Sequence, residues 1–239
     1  MFFIMPVLPL LAVYILAAVL PAVLLLRYIY LRDTVEKEPP GLLLTLLVLG
    51  VAAALASGVL ERLAQSGLRL LVDPGSPVYT ILLAFLVVAL VEEGCKFCLL
   101  KRRTWYHPAF NYRFDGIVYA VFVSLGFAAF ENIQYVLRYG LSVALPRALL
   151  AVPGHMSFAV YMGLFYGRAK LCENRGDEAG RRRNLAAGYL AAVLLHGIYD
   201  SCAMIGSIPS MVLFVVFVLL MYRSVYRLLK RESATDAPV

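Results

Sequence analysis

Seven stretches of about twenty mostly apolar residues recur along this 239-residue chain, near 6–29, 41–63, 78–100, 115–137, 148–167, 185–206 and 209–229. Each is long enough to cross the roughly 30 Å hydrocarbon layer of a bilayer as a helix rising about 1.5 Å per residue. A backbone N–H or C=O left unpaired in lipid costs several kcal/mol, and the alternating ten-residue pattern of a barrel is absent, so the spans must be helical. The expected fold class is all-α: a polytopic transmembrane helix bundle of about seven spans, forming one membrane-embedded domain over 1–239 with its polar motifs in 78–206. A composition that is 62% hydrophobic and 15% charged, with mean hydropathy +0.81, agrees with that class and leaves no stretch for a separate soluble domain.

The formal charge of +7 is distributed by topology and does not form a nucleic-acid face. Arg27, Arg32, Lys37, Lys101, Arg102, Arg103, Arg113, Arg168, Lys170, Arg175, Arg181, Arg182, Arg183, Arg223, Arg227, Lys230 and Arg231 gather at one side of the alternating spans. The other side has Arg62, Arg69, Arg138 and Arg147. The positive-inside rule then places the N-terminus outside and the C-terminus in the cytoplasm, with the cell membrane as the location. The first apolar stretch lacks a basic n-region and is expected to be retained as a span. Leu68–Val78 reads as an outer loop opening with a short interfacial helix, and Leu171–Asn184 as a mobile polar loop. Gly163 and Gly167 form a small-xxx-small step suited to close helix packing. Cys95, Cys98, Cys172 and Cys202 lie in or beside spans, so no extracellular disulfide framework is expected, and Cys95 and Cys98, despite their C-x-x-C spacing, read as small buried residues.

An ionisable group at mid-bilayer costs about 2.5–3.5 kcal/mol on the insertion scale, so each one inside a span needs a reason. The third span contains Glu92-Glu93-Gly94-Cys95-Lys96, the fourth Glu131-Asn132, the fifth Pro153-Gly154-His155, and the sixth His196 followed four residues later by Asp200. Counted from the cytoplasmic ends, Glu92 lies roughly 12 Å deep, the two histidines roughly 17 Å, and Glu131 and Asp200 somewhat over 20 Å. Side-chain reach and tilt can close that spread. Glu92 and Lys96 share a helix face, whereas Glu93 is turned about 100° toward another neighbour. Asp200 is placed to fix the tautomer of His196. Pro153-Gly154 is expected to loosen the helix and free backbone N–H groups beside His155 as oxyanion donors.

Taken singly, each of these residues has a bland reading. A lone His or Asn is interhelical glue, Lys96 snorkels to the surface, His107 is a solvated loop residue, and Asp115 is a helix N-cap or first-turn charge. Three carboxylates, two histidines and an Asn at compatible depth are too costly together for that to hold for all of them.

The same residues resemble the motifs of the PrsW family of intramembrane proteases: E-E-x-x-K at Glu92–Lys96, a glycine-aromatic helix ending in Glu131-Asn132, His155, and H-x-x-x-D at His196–Asp200, with Asp115-Gly116 opening the fourth span. That family is similar to the CAAX-processing prenyl proteases. The resemblance implies endoproteolysis of a single-span, membrane-tethered protein in the lipid bilayer, such as site-1 cleavage of an anti-sigma factor, with no nucleic acid involved. Catalytic residues are then Glu92 as base, Glu93, His155, His196, Glu131 and Asn132, supported by Lys96 and Asp200. In the favoured version no cofactor is required: His155 and Asn132 polarise the carbonyl and His196 moves the proton. In the alternative, His155, His196 and one carboxylate among Glu92, Glu93 and Glu131 hold zinc or a similar divalent metal. Rival readings are a proton- or ion-coupled transporter, a catalytically silent scaffold of the same fold, and a bis-histidine haem protein; the lack of an internal repeat counts against the transporter, and the surrounding carboxylates count against haem.

Overall fold

A computed structural model of the chain describes residues 7–239. Among these residues, seven helices are long and apolar enough to cross a membrane. They are α1 (Val7–Arg32), α2 (Pro40–Leu71), α3 (Pro77–Thr104), α4 (Asp115–Tyr139), α5 (Leu141–Asn174), α6 (Glu178–Ile205) and α7 (Ile208–Ala234). Burial divides them into a centre and a rim. The apolar window of α4 is 78% buried inside the bundle, against 11% for that of α1 and 28% for that of α7. The rim helices leave residues such as Leu16 and Leu219 bare, which in a bilayer are covered by lipid chains.

Three glycine contacts bring α4 close to its neighbours. A Cβ on Gly163 would lie 2.4 Å from the Gly116 carbonyl oxygen, and one on Gly167 would lie 2.2 Å from that of Arg113, so the small-xxx-small step of α5 seats directly on the start of α4. On the other flank a Cβ on Gly126 would lie 2.3 Å from the Leu47 carbonyl oxygen of α2. Backbones this close gain dispersion contacts that larger side chains would block.

The helices overrun the lengths read from hydropathy. In place of a loop over Leu68–Val78, α2 continues to Leu71, because nothing stops it before Asp73-Pro74-Gly75. The loop expected over Leu171–Asn184 shrinks to Arg175–Asp177: α5 runs to Asn174, Gly176 turns at φ 73°, and the Asp177 carboxylate accepts from Gly180 N–H at 2.8 Å to start α6. Polar residues there form helix ends projecting past the apolar layer, which a hydropathy window scores as loop.

The short connections at one end of the bundle enclose a buried acidic group. Glu38 and Asp33, between α1 and α2, are 2% and 1% exposed. Tyr119 donates to Glu38 at 2.5 Å, and Asp115 accepts from the N–H groups of Asn111 and Tyr112. Asp115 therefore folds the loop before α4 and does not act as its N-cap. The C-terminal residues strap this loop: Asp236 accepts from Phe114 N–H, and Tyr112 bridges Pro238. Burial pushes Glu38 up to about 7 and Asp33 up to about 6.

Gly163→Val should lower the thermal stability of detergent-purified protein by several kcal/mol at order of magnitude, since backbone must move to admit it. The two raised carboxyls keep their protons in the fold after the unfolded chain has lost them. Their contribution is complete below about pH 4 and is lost as pH rises toward 7. Melting temperature should accordingly fall across that window, and Glu38→Gln should flatten the fall; an unchanged slope would show that this carboxyl is not held neutral.

Candidate active site

Two π-helical turns precede the reactive groups. One spans Leu83–Ala89 in α3, just before Glu92 and Glu93, and the other spans Arg147–Ala151 in α5, just before His155. Such turns insert one residue into the ladder and rotate the remainder of the helix, and they recur at functional sites. The α3 turn packs where Phe85 meets Gly197 of α6, at which a Cβ would be 2.3 Å from the ring. In α5 the π-turn absorbs Pro153. The helix is continuous through His155, so backbone N–H groups are not freed there as expected, and donors have to come from side chains.

The groups of α3, α5 and α6 meet. Lys96 Nζ donates to Glu93 Oε1 at 2.8 Å and Glu92 Oε2 at 3.1 Å, and lies 3.2 Å from His155 Nδ1. An ammonium only donates, so Nδ1 accepts and the His155 proton sits on Nε2, which faces Glu131 Oε2 at 3.1 Å. Glu93 Oε1 also takes His196 Nδ1 at 3.0 Å, and the other His196 nitrogen lies 3.3 Å from Asp200 Oδ2. Lys96 is 2% exposed and sits 3.9 Å above the Phe127 ring; it does not snorkel. Phe158 stacks on the His196 ring, with centroids 4.7 Å apart. The two carboxylates of α3 divide as their 100° offset requires. Glu92 lines an open cavity of about 490 Å³ with Glu131, His155, His196 and Asp200, while Glu93 is buried behind it, fully inaccessible.

Asn132 stands apart. Its amide donates to the Ala18 carbonyl of α1 at 2.7 Å and its oxygen accepts from Arg147 Nε at 2.8 Å, so both ends are spent on packing. The expectation that it polarises a substrate carbonyl gives way to one in which it aims Arg147. That arginine also donates to Glu131 at 2.7 Å and lines the cavity. His107 accepts from Ala109 N–H in the α3–α4 loop and has no place at the site. The sequence reading missed Arg147 and Glu61, both on the cavity wall. A signal existed for Arg147, one of few cations on the lysine- and arginine-poor side.

Glu92, Glu93, His155 and His196 each offer a ligand atom, all within 4.8 Å of one another. Two imidazoles with carboxylates form a zinc-type donor set. Glu93 Oε2 is buried without a hydrogen-bond partner, as a donor reserved for a cation would be. By kind and burial these residues fit a divalent ion, although Lys96 already supplies positive charge to three of the four.

Comparison with known proteins decides the family. Residues 38–223 match the family described as PrsW family intramembrane metalloprotease. The chain belongs to the PrsW family of intramembrane proteases. It is 38% identical over 185 residues to Protease PrsW of Geobacillus kaustophilus, covering 77% of this chain and 76% of that one. It is 33% identical over 221 residues to Protease PrsW of Oceanobacillus iheyensis, covering 92% and 96%, and 34% identical over 184 residues to that of Bacillus subtilis, covering 77% and 79%. No solved structure matches. The chain is thus a multi-pass protease of the cell membrane, in place of the transporter and haem readings. The family's description names a metal, which the expectation of no required cofactor does not include.

Asn132→Leu leaves the Ala18 carbonyl and an Arg147 N–H unpaired. It should cost about 1–2 kcal/mol of stability while retaining measurable turnover. A loss of kcat by orders of magnitude with unchanged melting would return Asn132 to the catalytic set.

Proposed function

We propose that this protease hydrolyses a peptide bond of a single-span, membrane-tethered protein, an anti-sigma factor being the class suggested by family resemblance, with Glu92 activating the attacking water. The observation that carries this reading is the position of Glu92. It is the one α3 carboxylate on the wall of the cavity, with His155, His196 and Glu131 facing the same space. A base must reach both water and substrate, and Glu93 reaches neither.

The remaining roles rest on the contacts. Glu93 and Lys96 hold the two imidazoles: Glu93 accepts from His196 Nδ1, and Lys96 fixes His155 with its proton on Nε2. Arg147 has N–H groups beyond those given to Glu131 and Asn132, and it faces the cavity where a tetrahedral oxyanion needs donors. His196, flanked by Glu93 and Asp200, carries the proton to the leaving amine. In the alternative version Glu93, His155 and His196 would instead hold a divalent ion, Lys96 giving up its contact with His155 and His196 its proton-carrying role; when bound, the ion supplies Lewis acidity toward the carbonyl and lowers the pKa of water. Glu92 keeps the role of base in either case.

The cavity wall includes Pro146 and Arg147 of α5, Met204 of α6 and Met211 of α7. These positions lie at helix ends opposite the arginine-rich loops. With the N-terminus outside and the C-terminus in the cytoplasm, the scissile bond is then presented near the outer face of the membrane.

Glu92→Gln should abolish cleavage of a co-expressed single-span reporter while leaving expression and melting near wild type, and His107→Ala should be silent. Full activity in Glu92→Gln would remove the base assignment. Detergent-purified wild type should contain about one zinc-like ion per chain, lost in the His155→Ala/His196→Ala variant; a metal-free protein that is fully active would leave the glutamate-activated water to act alone.

A further inference from the structure

Four carboxylates line the cavity: Glu61, Glu92, Glu131 and Asp200. Three have partners within the protein. Glu92 pairs with Lys96 at 3.1 Å, Glu131 with Arg147 at 2.7 Å, and Asp200 with His196 at 3.3 Å. Glu61 pairs with no cation among the described residues, and its Oε1 is buried without any hydrogen-bond partner. Ser57, one turn earlier on α2, directs its proton to the Ala54 carbonyl. Arg62 is turned about 100° away around the helix and is exposed.

Glu61 as a whole is half-buried, but a carboxylate oxygen buried without a partner is costly, and that cost is offset when a cation arrives. Arg147, the guanidinium on the same wall, is oriented by Glu131 and Asn132 and forms no ion pair with Glu61. With the other three carboxylates matched by Lys96, Arg147 and His196, Glu61 leaves one negative charge unmatched on the wall, which favours a positively charged visitor. A lysine or arginine side chain suits this place in particular. Its apolar stem can lie against Met204 and Met211 of the same wall while its charged head reaches a carboxylate.

We propose that Glu61 is a specificity residue that receives a basic side chain of the substrate flanking the scissile bond. This rests on the proteolytic reading above and adds to it the substrate class: membrane-tethered proteins with a lysine or arginine beside the cut. Glu61 touches the substrate but takes no proton in the reaction, so its loss should alter selection and leave chemistry on a neutral substrate intact.

The test uses the full chain in proteoliposomes with a series of single-span tethered reporters. Each residue around the cut is in turn Lys, Gln or Glu, products are located by mass spectrometry, and kcat/KM is measured. At one flanking position the wild type should prefer Lys over Gln by about tenfold, the range of one charge-assisted hydrogen bond, mainly through KM. Glu61→Gln should erase that preference while cutting the Gln reporter at the wild-type rate, and Glu61→Lys should favour the Glu reporter. Melting curves of both variants identify any that misfolds, and Glu61→Gln, nearly isosteric, is decisive alone. Cleavage indifferent to charge, or a Lys preference unchanged in Glu61→Gln, overturns this proposal and leaves proteolysis standing. Failure of the wild type to cut any reporter overturns both.

Discussion

One ammonium group, enclosed where three helices meet, ties the reactive part of the bundle together. Lys96 of α3 reaches both carboxylates of its own helix and the His155 ring of α5, above the Phe127 ring of α4. Through the shared oxygen of Glu93 the same charge is linked to His196 of α6. In a low-dielectric interior such a network depends most on its shared cation, because removing Lys96 strands both carboxylates, whereas neutralising Glu92 leaves Lys96 paired with Glu93. The arrangement also decides protonation geometry, fixing the His155 proton on the nitrogen that faces Glu131.

The scaffold around this network is built from packing and not from sequence-local preference. Glycines at 116, 163 and 167 let α4 and α5 touch along their backbones, which sets the height of His155 against α3. At one end, short loops bury Glu38, Asp33 and Asp115 under the C-terminal strap. At the other, the ends of α5, α6 and α7 stand apart and leave the cavity. The bundle is thus closed and acidic at one end and open at the other, with the imidazoles between.

Much of this was legible in the sequence, for physical reasons that differ by feature. Seven apolar stretches predict seven helices because lipid allows few other solutions. The spacing of Glu92, Glu93 and Lys96 predicts their division between two faces, since a helix rotates by 100° per residue. Ionisable residues at compatible depth predict convergence because isolated charges are too costly in lipid. What escaped depends on three-dimensional neighbours. Asn132 comes directly after Glu131 in sequence, yet the helix turns its amide toward α1 and Arg147. Arg147 looked like a loop cation until the π-turn carried it into the cavity. Glu61 falls inside the apolar stretch 41–63, and only the helices that α2 meets in three dimensions put it on the wall. Lys96 near a span end suggested snorkelling, which the two carboxylates outcompete.

The most direct measurement of the central interaction is a double-mutant cycle on Lys96 and Glu93, read as unfolding free energy of detergent-purified protein. Lys96→Met alone should cost about 3–5 kcal/mol by stranding two carboxylates. Combining it with Glu93→Gln should recover at least about 1 kcal/mol relative to the sum of the single changes. Strictly additive costs would mean that the two groups do not share a buried network, and the convergence of α3, α5 and α6 on one charged centre would be wrong.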